Sequence, residues 1–187
     1  IVITDNAGVC DTTGGSILAG DILTDDIQTV ELTAVSLNAP GHVFPTYVTT
    51  TNGQYHFSNL ILPSEFSVNA ERNDAYKNGV SKLDLVKIQK HLLGIELMSN
   101  PYDLIAADAN NSANVSAIDL VELRKLILGI YTELPANKSW RFVDKSFVFA
   151  DATSPWPFSE SINMASLHGN EMDKDFVAIK VGDVNNT

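Results

Sequence analysis

The sequence predicts an α+β chain: a β-rich N-terminal part, then two helices, then strands again. Three observations carry this. Residues 1 to about 72 hold alternating β-branched and aromatic segments between turn residues. A sixteen-residue segment with helical apolar spacing occurs twice, 35 residues apart. From Ser139 onward the strand pattern returns.

In the N-terminal part, "TVELTAVSL", "PTYVTTTNGQYHFSNL" and "FSVNA" are rich in Val, Thr, Tyr and Phe. Asn52-Gly53 separates Val48-Thr49-Thr50 from Tyr55-His56-Phe57 and predicts a tight hairpin, because Asn-Gly tolerates the positive φ of such a turn. Tyr55 and Phe57 then share one face, with Leu60 and Leu62 as expected core. Beyond Ala70 the period changes. Leu85, Val86, Ile88, Leu92 and Leu93 recur with helical spacing from Lys82 to Gly94, and Leu120, Val121, Leu123, Ile127 and Leu128 do so from Ala117 to Gly129. Each glycine stands where a C-terminal cap belongs. "VSKLDLVKIQKHLLGI" from Val80 and "VSAIDLVELRKLILGI" from Val115 agree at nine of sixteen positions, which helix-forming composition alone does not produce. Each unit is too short to bury its own apolar face, so the two are expected to pack together. The final strands, "SWRFVDKSFVF" and "DFVAIKVGDV", are expected to run back along the helices and bring Asp183 to Thr187 near the start of the repeat.

The loop before the second helix, "DANNSANVSAID", has the spacing of an EF-hand-type calcium loop, whose ligands come from positions 1, 3, 5, 7, 9 and 12. Asp108, Asn110, Ser112, Asn114, Ser116 and Asp119 fall on those positions, and all offer the oxygen donors a hard cation needs. Ala113 replaces the usual glycine at position 6, and Asp119 is shorter than the usual glutamate. The competing reading makes Ser116 a helix N-cap and the rest a solvated turn. The first repeat lacks this pattern: with Asp84 at position 12, its opening positions are Asn73, Ala75 and Lys77, and an ammonium at position 5 repels a cation. Either that site has decayed into a plain helix cap, or donors arrive from elsewhere. Asp183 and Asn185, spaced as positions 1 and 3, are the expected source. The split site would join them to Asp84, with Asn78, Asp74 or the Gly79 carbonyl completing the shell.

The duplicated "D-x-N-x-S-x-x-V-S-x-x-D-L" loop and its helix ending in "LGI", over about residues 73 to 130, resemble the dockerin type I repeat. The resemblance implies two calcium-loop helices, with ligation by Asp108, Asn110, Ser112, Asn114 and Asp119 and with Asp84 as the counterpart in the first half. It also implies a cohesin-like partner, although the Ser-Thr pair such partners commonly read is replaced by Lys82-Leu83 and Ala117-Ile118. "TTTNGQYHFSNL" is similar to the carboxypeptidase regulatory-like, or prealbumin-like, β-sandwich. Together these imply an antiparallel β-sandwich over 1–72 and a dockerin-like domain over 73–187 whose helices are covered by the C-terminal strands. The whole resembles modules near the C-termini of large secreted bacterial surface proteins with Ig-like repeats.

Composition narrows the partners. With 23 acidic against 12 basic residues and a net charge of −11, the chain is unsuited to binding phosphate backbones, so no nucleic-acid partner is expected. The hydrophobic content of 44% suffices for a buried core, and no apolar run approaches the length needed to insert in a membrane. One cysteine, Cys10, builds neither an internal disulfide nor a cysteine metal site. The chain begins at Ile1 without a signal-peptide pattern, as expected of a mature chain or an excised fragment. His42, His56, His91 and His168 have no partner at motif spacing, and no nucleophile elbow, P-loop or zincin motif is present, so no enzyme is expected. Trp140, Trp156 and Phe158 are either core aromatics or a sugar-stacking platform. The function expected is an extracellular, calcium-stabilised structural or adhesive module contacting neighbouring domains or subunits of a surface assembly. The alternative is a docking module for a cohesin-like protein or for anchoring a carbohydrate-active enzyme.

Overall fold

Alternating burial along the N-terminal part builds β1 (Ser16–Leu23), β2 (Ala34–Asn38), β3 (Tyr47–Val48), β4 (Gln54–Leu60) and β5 (Phe66–Glu71). In β4, Tyr55, Phe57 and Leu60 point inward while His56 and Ser58 face out; Val35 and Leu37 of β2 and Phe66 and Val68 of β5 alternate likewise. The helices α1 (Lys82–Leu92), α2 (Pro101–Ala107) and α3 (Ala117–Ile127) follow, then β6 (Trp140–Asp144), β7 (Ser161–Met164) and β8 (Phe176–Lys180). These elements come from a computed structural model that describes residues 15–49, 51–61, 65–167 and 169–187; the expectations for Cys10, Leu62 and His168 lie outside the described residues.

The class is α+β, with two four-stranded sheets ordered β4-β1-β8-β6 and β3-β2-β5-β7. Strands from both sides of the 72/73 boundary share these sheets. β8 pairs in parallel with β1 through Ile22–Phe176 and Leu23–Val177, and β7 pairs antiparallel with β5. One core, including Leu18, Ile22, Val35, Tyr55, Val68, Phe142 and Phe176, takes residues from both sheets. A second core joins Ile88, Leu104, Leu123 and Leu126 of the helices to Val143 of β6 and Ile179 of β8. β8 separates the two, and all five of its residues are buried. A strand covered on both faces reads as a continuous apolar run, and "FVAI" does.

The Asn52-Gly53 hairpin is a correction. The turn forms, with Gly53 at φ +68°, but the strands on either side enter different sheets, β3 beside β2 and β4 beside β1. Thr49 explains the divergence. It is buried, its N–H donates to the Thr33 carbonyl, its carbonyl accepts from Leu32, and its hydroxyl donates to the Val30 carbonyl. The strand before the turn is therefore committed to the β2 side, and the turn forms a corner between sheets.

Both repeat helices start where expected. Ser81 and Ser116 are N-caps, each in a capping box with the Asp three residues on, and Gly94 and Gly129 follow the last turns at φ +66° and +74°. Helix α2 was not expected, although Asn100-Pro101 is an N-cap followed by proline at the first helical position. Its last turn is buried and its C-cap is Asp108, so α2 places the first residue of the calcium-type loop.

Candidate metal centre

The loop 108–119 wraps around two buried carboxylates. Asp108 is 1% exposed and Asp119 0%. Asp108 Oδ1 accepts from the Ser112 N–H at 2.9 Å and Oδ2 from the Ala113 N–H at 2.9 Å, which curls the loop over its first residue. Asp119 Oδ1 accepts from the Asn110 N–H at 3.0 Å, closing the loop, while Oδ2 accepts from the N–H and hydroxyl of Ser116. Asn111 and Ala113 hold φ of +55° and +59°, so Ala113 makes the sharp bend that glycine makes more easily. The Ser116 cap is thus real, and it leaves the spacing of the other donors intact. A carboxylate has about four acceptor positions, and Asp119 uses three, so one position on Oδ1 is left for a cation. Ligation by Asp119 through a single oxygen fits this arrangement better than bidentate ligation.

The C-terminus repeats the opening of this loop against the first helix. Asp183, Asn185, Asn186 and Thr187 stand in the order of Asp108, Asn110, Asn111 and Ser112. Asn186 has the same φ as Asn111, +55°, and the Thr187 N–H donates to Asp183 Oδ1 at 3.3 Å as Ser112 does to Asp108. Asp84, 0% exposed, mirrors Asp119: Oδ2 accepts from the N–H and hydroxyl of Ser81, and Oδ1 accepts from the Val184 N–H at 2.8 Å. Val184, like Ala109 in the contiguous loop, is fully buried. Gly79 sits at φ +77°, and a Cβ there would strike the Asp183 carboxylate. Asn78, Gly79, Asp183 and Thr187 line a common cavity of about 170 Å³. In register, residues 183–187 occupy positions 1 to 5 and residues 78–84 occupy positions 6 to 12.

Three of the named residues lie elsewhere. Asp74 is paired with Arg72 at 2.7 Å and is half exposed. Lys77 directs its ammonium to the C-terminal end of α3, beside Gly129, so it does not intrude on the site. Asn73 accepts hydrogen bonds from the Tyr76 hydroxyl and the Ser139 N–H and serves as a tether. Sequence reasoning missed Thr187 and Ser81 as positions 5 and 9 of the split loop. The likeness of "DVNNT" to "DANNS" is the signal that finds them.

Electrostatics treat the two loops alike. Burial pushes the Asp108 carboxyl above the usual carboxylate range, and the neighbouring Asp119 charge adds to this. Burial raises Asp183 too, with the Asp84 charge beside it. Among the described residues none of these four carboxylates is in an ion pair. Arg141 and the buried Lys180 act on Asp108 and Asp183 only at longer range, so bringing two carboxylates together out of water remains costly, and a cation held between them would remove that cost. No three His, Cys, Asp or Glu side chains converge among the described residues. Each loop supplies two carboxylates, and its remaining donors are amide, hydroxyl and carbonyl oxygens, a set that fits calcium rather than zinc.

The aromatics separate. Trp140 is 9% exposed and belongs to the core between the sheets, whereas Trp156 and Phe158 are half-buried at the margin of the helical core. His91 accepts from the Met98 N–H through Nδ1 and ties down the chain after α1. No helix among the described residues is long and apolar enough to cross a membrane. Neither a protein-family model, nor a curated protein, nor a solved structure matches the chain.

Proposed function

We propose that this chain is an extracellular, calcium-stabilised module of a larger surface or secreted bacterial protein, a prealbumin-like β-sandwich joined to a dockerin-like helical pair. The observation that carries the reading is the pair of matched loops, each with two carboxylates facing one another and in no ion pair, Asp108 with Asp119 and Asp183 with Asp84, all buried except the half-buried Asp183. Asp108, Asn110, Ser112, Asn114 and Asp119, with Ser116 acting through water, would hold one ion. Asp183, Asn185, Thr187, Asp84 and the Gly79 carbonyl would hold the other, with Asn78 beside them. Bound calcium supplies positive charge, and the protein's contribution is to fix oxygens that the unfolded chain does not gather. An ion held by the folded form alone adds RT ln(1 + [Ca]/Kd), about 2.7 kcal/mol at a hundredfold excess over Kd. Sites of modest affinity fill at the roughly millimolar calcium outside cells. The test is calorimetric melting in calcium and in EGTA: a large fall in melting temperature is expected, and an unchanged one defeats the reading.

A docking role is the second reading, and one observation favours it. Leu83 and Ile118 are 66% and 59% exposed, and Val86 and Val121, Leu93 and Leu128, and Ile95 and Ile130 are exposed in the same repeat-related pairs. Exposed apolar residues gathered on one pair of helices mark an interaction face more often than a solvated one. A cohesin-like partner or a neighbouring subunit would cover it. Leu83→Lys with Ile118→Lys should leave calcium-dependent melting intact and abolish binding to a panel of cohesin modules; a wild-type chain that binds none of them removes the cohesin assignment.

A further inference from the structure

Beside the contiguous loop, two clefts of about 420 and 460 Å³ meet at Arg141, and both are in the size range of small-molecule sites. We infer that they form a groove for a neutral oligosaccharide, with Trp156 as its stacking surface. The first cleft is lined by Trp156, Phe158, Arg141 and Ala113; Asn111 and Glu160 line the second.

Each side chain is held in place by its neighbours. Trp156 and Phe158 pack against the helical core and leave part of their surface free. The Arg141 guanidinium lies 5.0 Å from the Phe158 ring centre, is bidentate to Glu160 at 2.6 and 2.9 Å, and donates to Asn111 Oδ1 at 2.7 Å. A guanidinium has five N–H donors, so about two remain free, beside the open acceptor positions of Glu160.

A pyranose ring carries an apolar C–H face and a rim of adjacent hydroxyls that both donate and accept. An indole matches the face, and a fixed arginine–carboxylate pair matches the rim. The ligand carries no negative charge because both cations at the groove are already paired, Arg141 with Glu160 and Lys138 with Glu71, while Glu133 adds a further carboxylate to the lining and the whole chain carries −11. An acidic or phosphorylated glycan would meet no free cation there and would be repelled at longer range. Asn111 and Ala113 belong to the 108–119 loop, so the groove's shape follows that loop. This coupling rests on the calcium reading; the groove itself does not.

The full chain is tested on an array of neutral glycans and by tryptophan fluorescence with cellohexaose, mannohexaose and laminarihexaose. Trp140 is buried, so a saturable change reports on Trp156. We expect retention of at least one neutral glycan, a loss of about tenfold or more in affinity in Trp156→Ala and in Arg141→Ala, and recovery in Trp156→Tyr, as for anchor residues of an interface. EGTA should weaken binding. No retained glycan and no saturable change up to about 10 mM oligosaccharide overturns the groove, as does unaltered affinity in a folded Trp156→Ala chain. Glycan failure with a preserved calcium melting shift removes only the groove. Glycan binding indifferent to EGTA in a chain that takes up no calcium removes only the metal reading.

Discussion

The contiguous loop 108–119 and the split loop 183–187 with 78–84 present nearly the same local structure, and they differ in how the chain closes. In the first, Asp108 and Asp119 are joined by ten intervening residues. In the second, Asp84 and Asp183 meet across almost the whole helical pair and three strands, through the Val184 N–H on Asp84 Oδ1. An unfolded chain can bring the contiguous ligands together locally and retain some affinity, which reduces what the ion adds to stability. Closing the longer loop costs more entropy, so the unfolded chain holds almost none of the split site. Equal chemistry should therefore give unequal linkage, with the split loop coupling its ion more completely to global folding.

The largest effect expected is loss of both ions. At a hundredfold excess over each Kd the two contribute about 5 kcal/mol together, which for a chain of this size corresponds to a melting temperature about 10–20 °C lower in EGTA. Next comes the split loop. Asp183→Ala should remove more than half of the calcium-dependent melting shift, measured as the difference between calcium and EGTA scans. Asp108→Ala should remove less than half; a larger loss there than in Asp183→Ala would reverse the comparison.

Smaller effects follow from protonation. Asp108 and Asp183 hold their protons more tightly in the metal-free folded chain than when unfolded. The folded form then binds more protons than the unfolded one as pH rises through their raised range, so stability in EGTA falls across that interval. Calcium needs the ionised forms, so its added stabilisation should shrink as pH drops through the same interval. Melting in both buffers at several pH values measures this; a calcium increment that stays constant on acidification would count against ligation by these groups. The smallest effect is that of Lys77→Asp, which should leave the number of bound ions unaltered because Lys77 lies at the end of α3 rather than at the site.

Which features could be read from the sequence depends on how local their causes are. The α1 and α3 boundaries follow from Ser81, Ser116, Gly94 and Gly129, whose caps involve residues within one turn. The positions of Asp108 to Asp119 follow from spacing for the same reason. The turn at Asn52-Gly53 was legible as well, but not its use as a corner, because Thr49 is claimed by Leu32 and Thr33 through pairing on the β2 side. Helix α2 was obscured by its short length and by the Asn- and Ser-rich loop into which it runs. For the split loop, Asp183, Asn185 and Asp84 could be named from the repeat, whereas the exclusion of Asp74 depends on its contact with Arg72, which spacing does not reveal. Trp140 and Trp156 look alike in sequence, and only the packing of β6 between two cores separates the buried indole from the accessible one.

The central claim is that the far end of the chain restores the metal site the first repeat has lost. It is tested most directly by counting calcium ions per chain by titration calorimetry, in the wild type and in Asp183→Ala. The account predicts two ions in the wild type and one in the variant. A single ion in the wild type, or two ions still bound by Asp183→Ala, would contradict it.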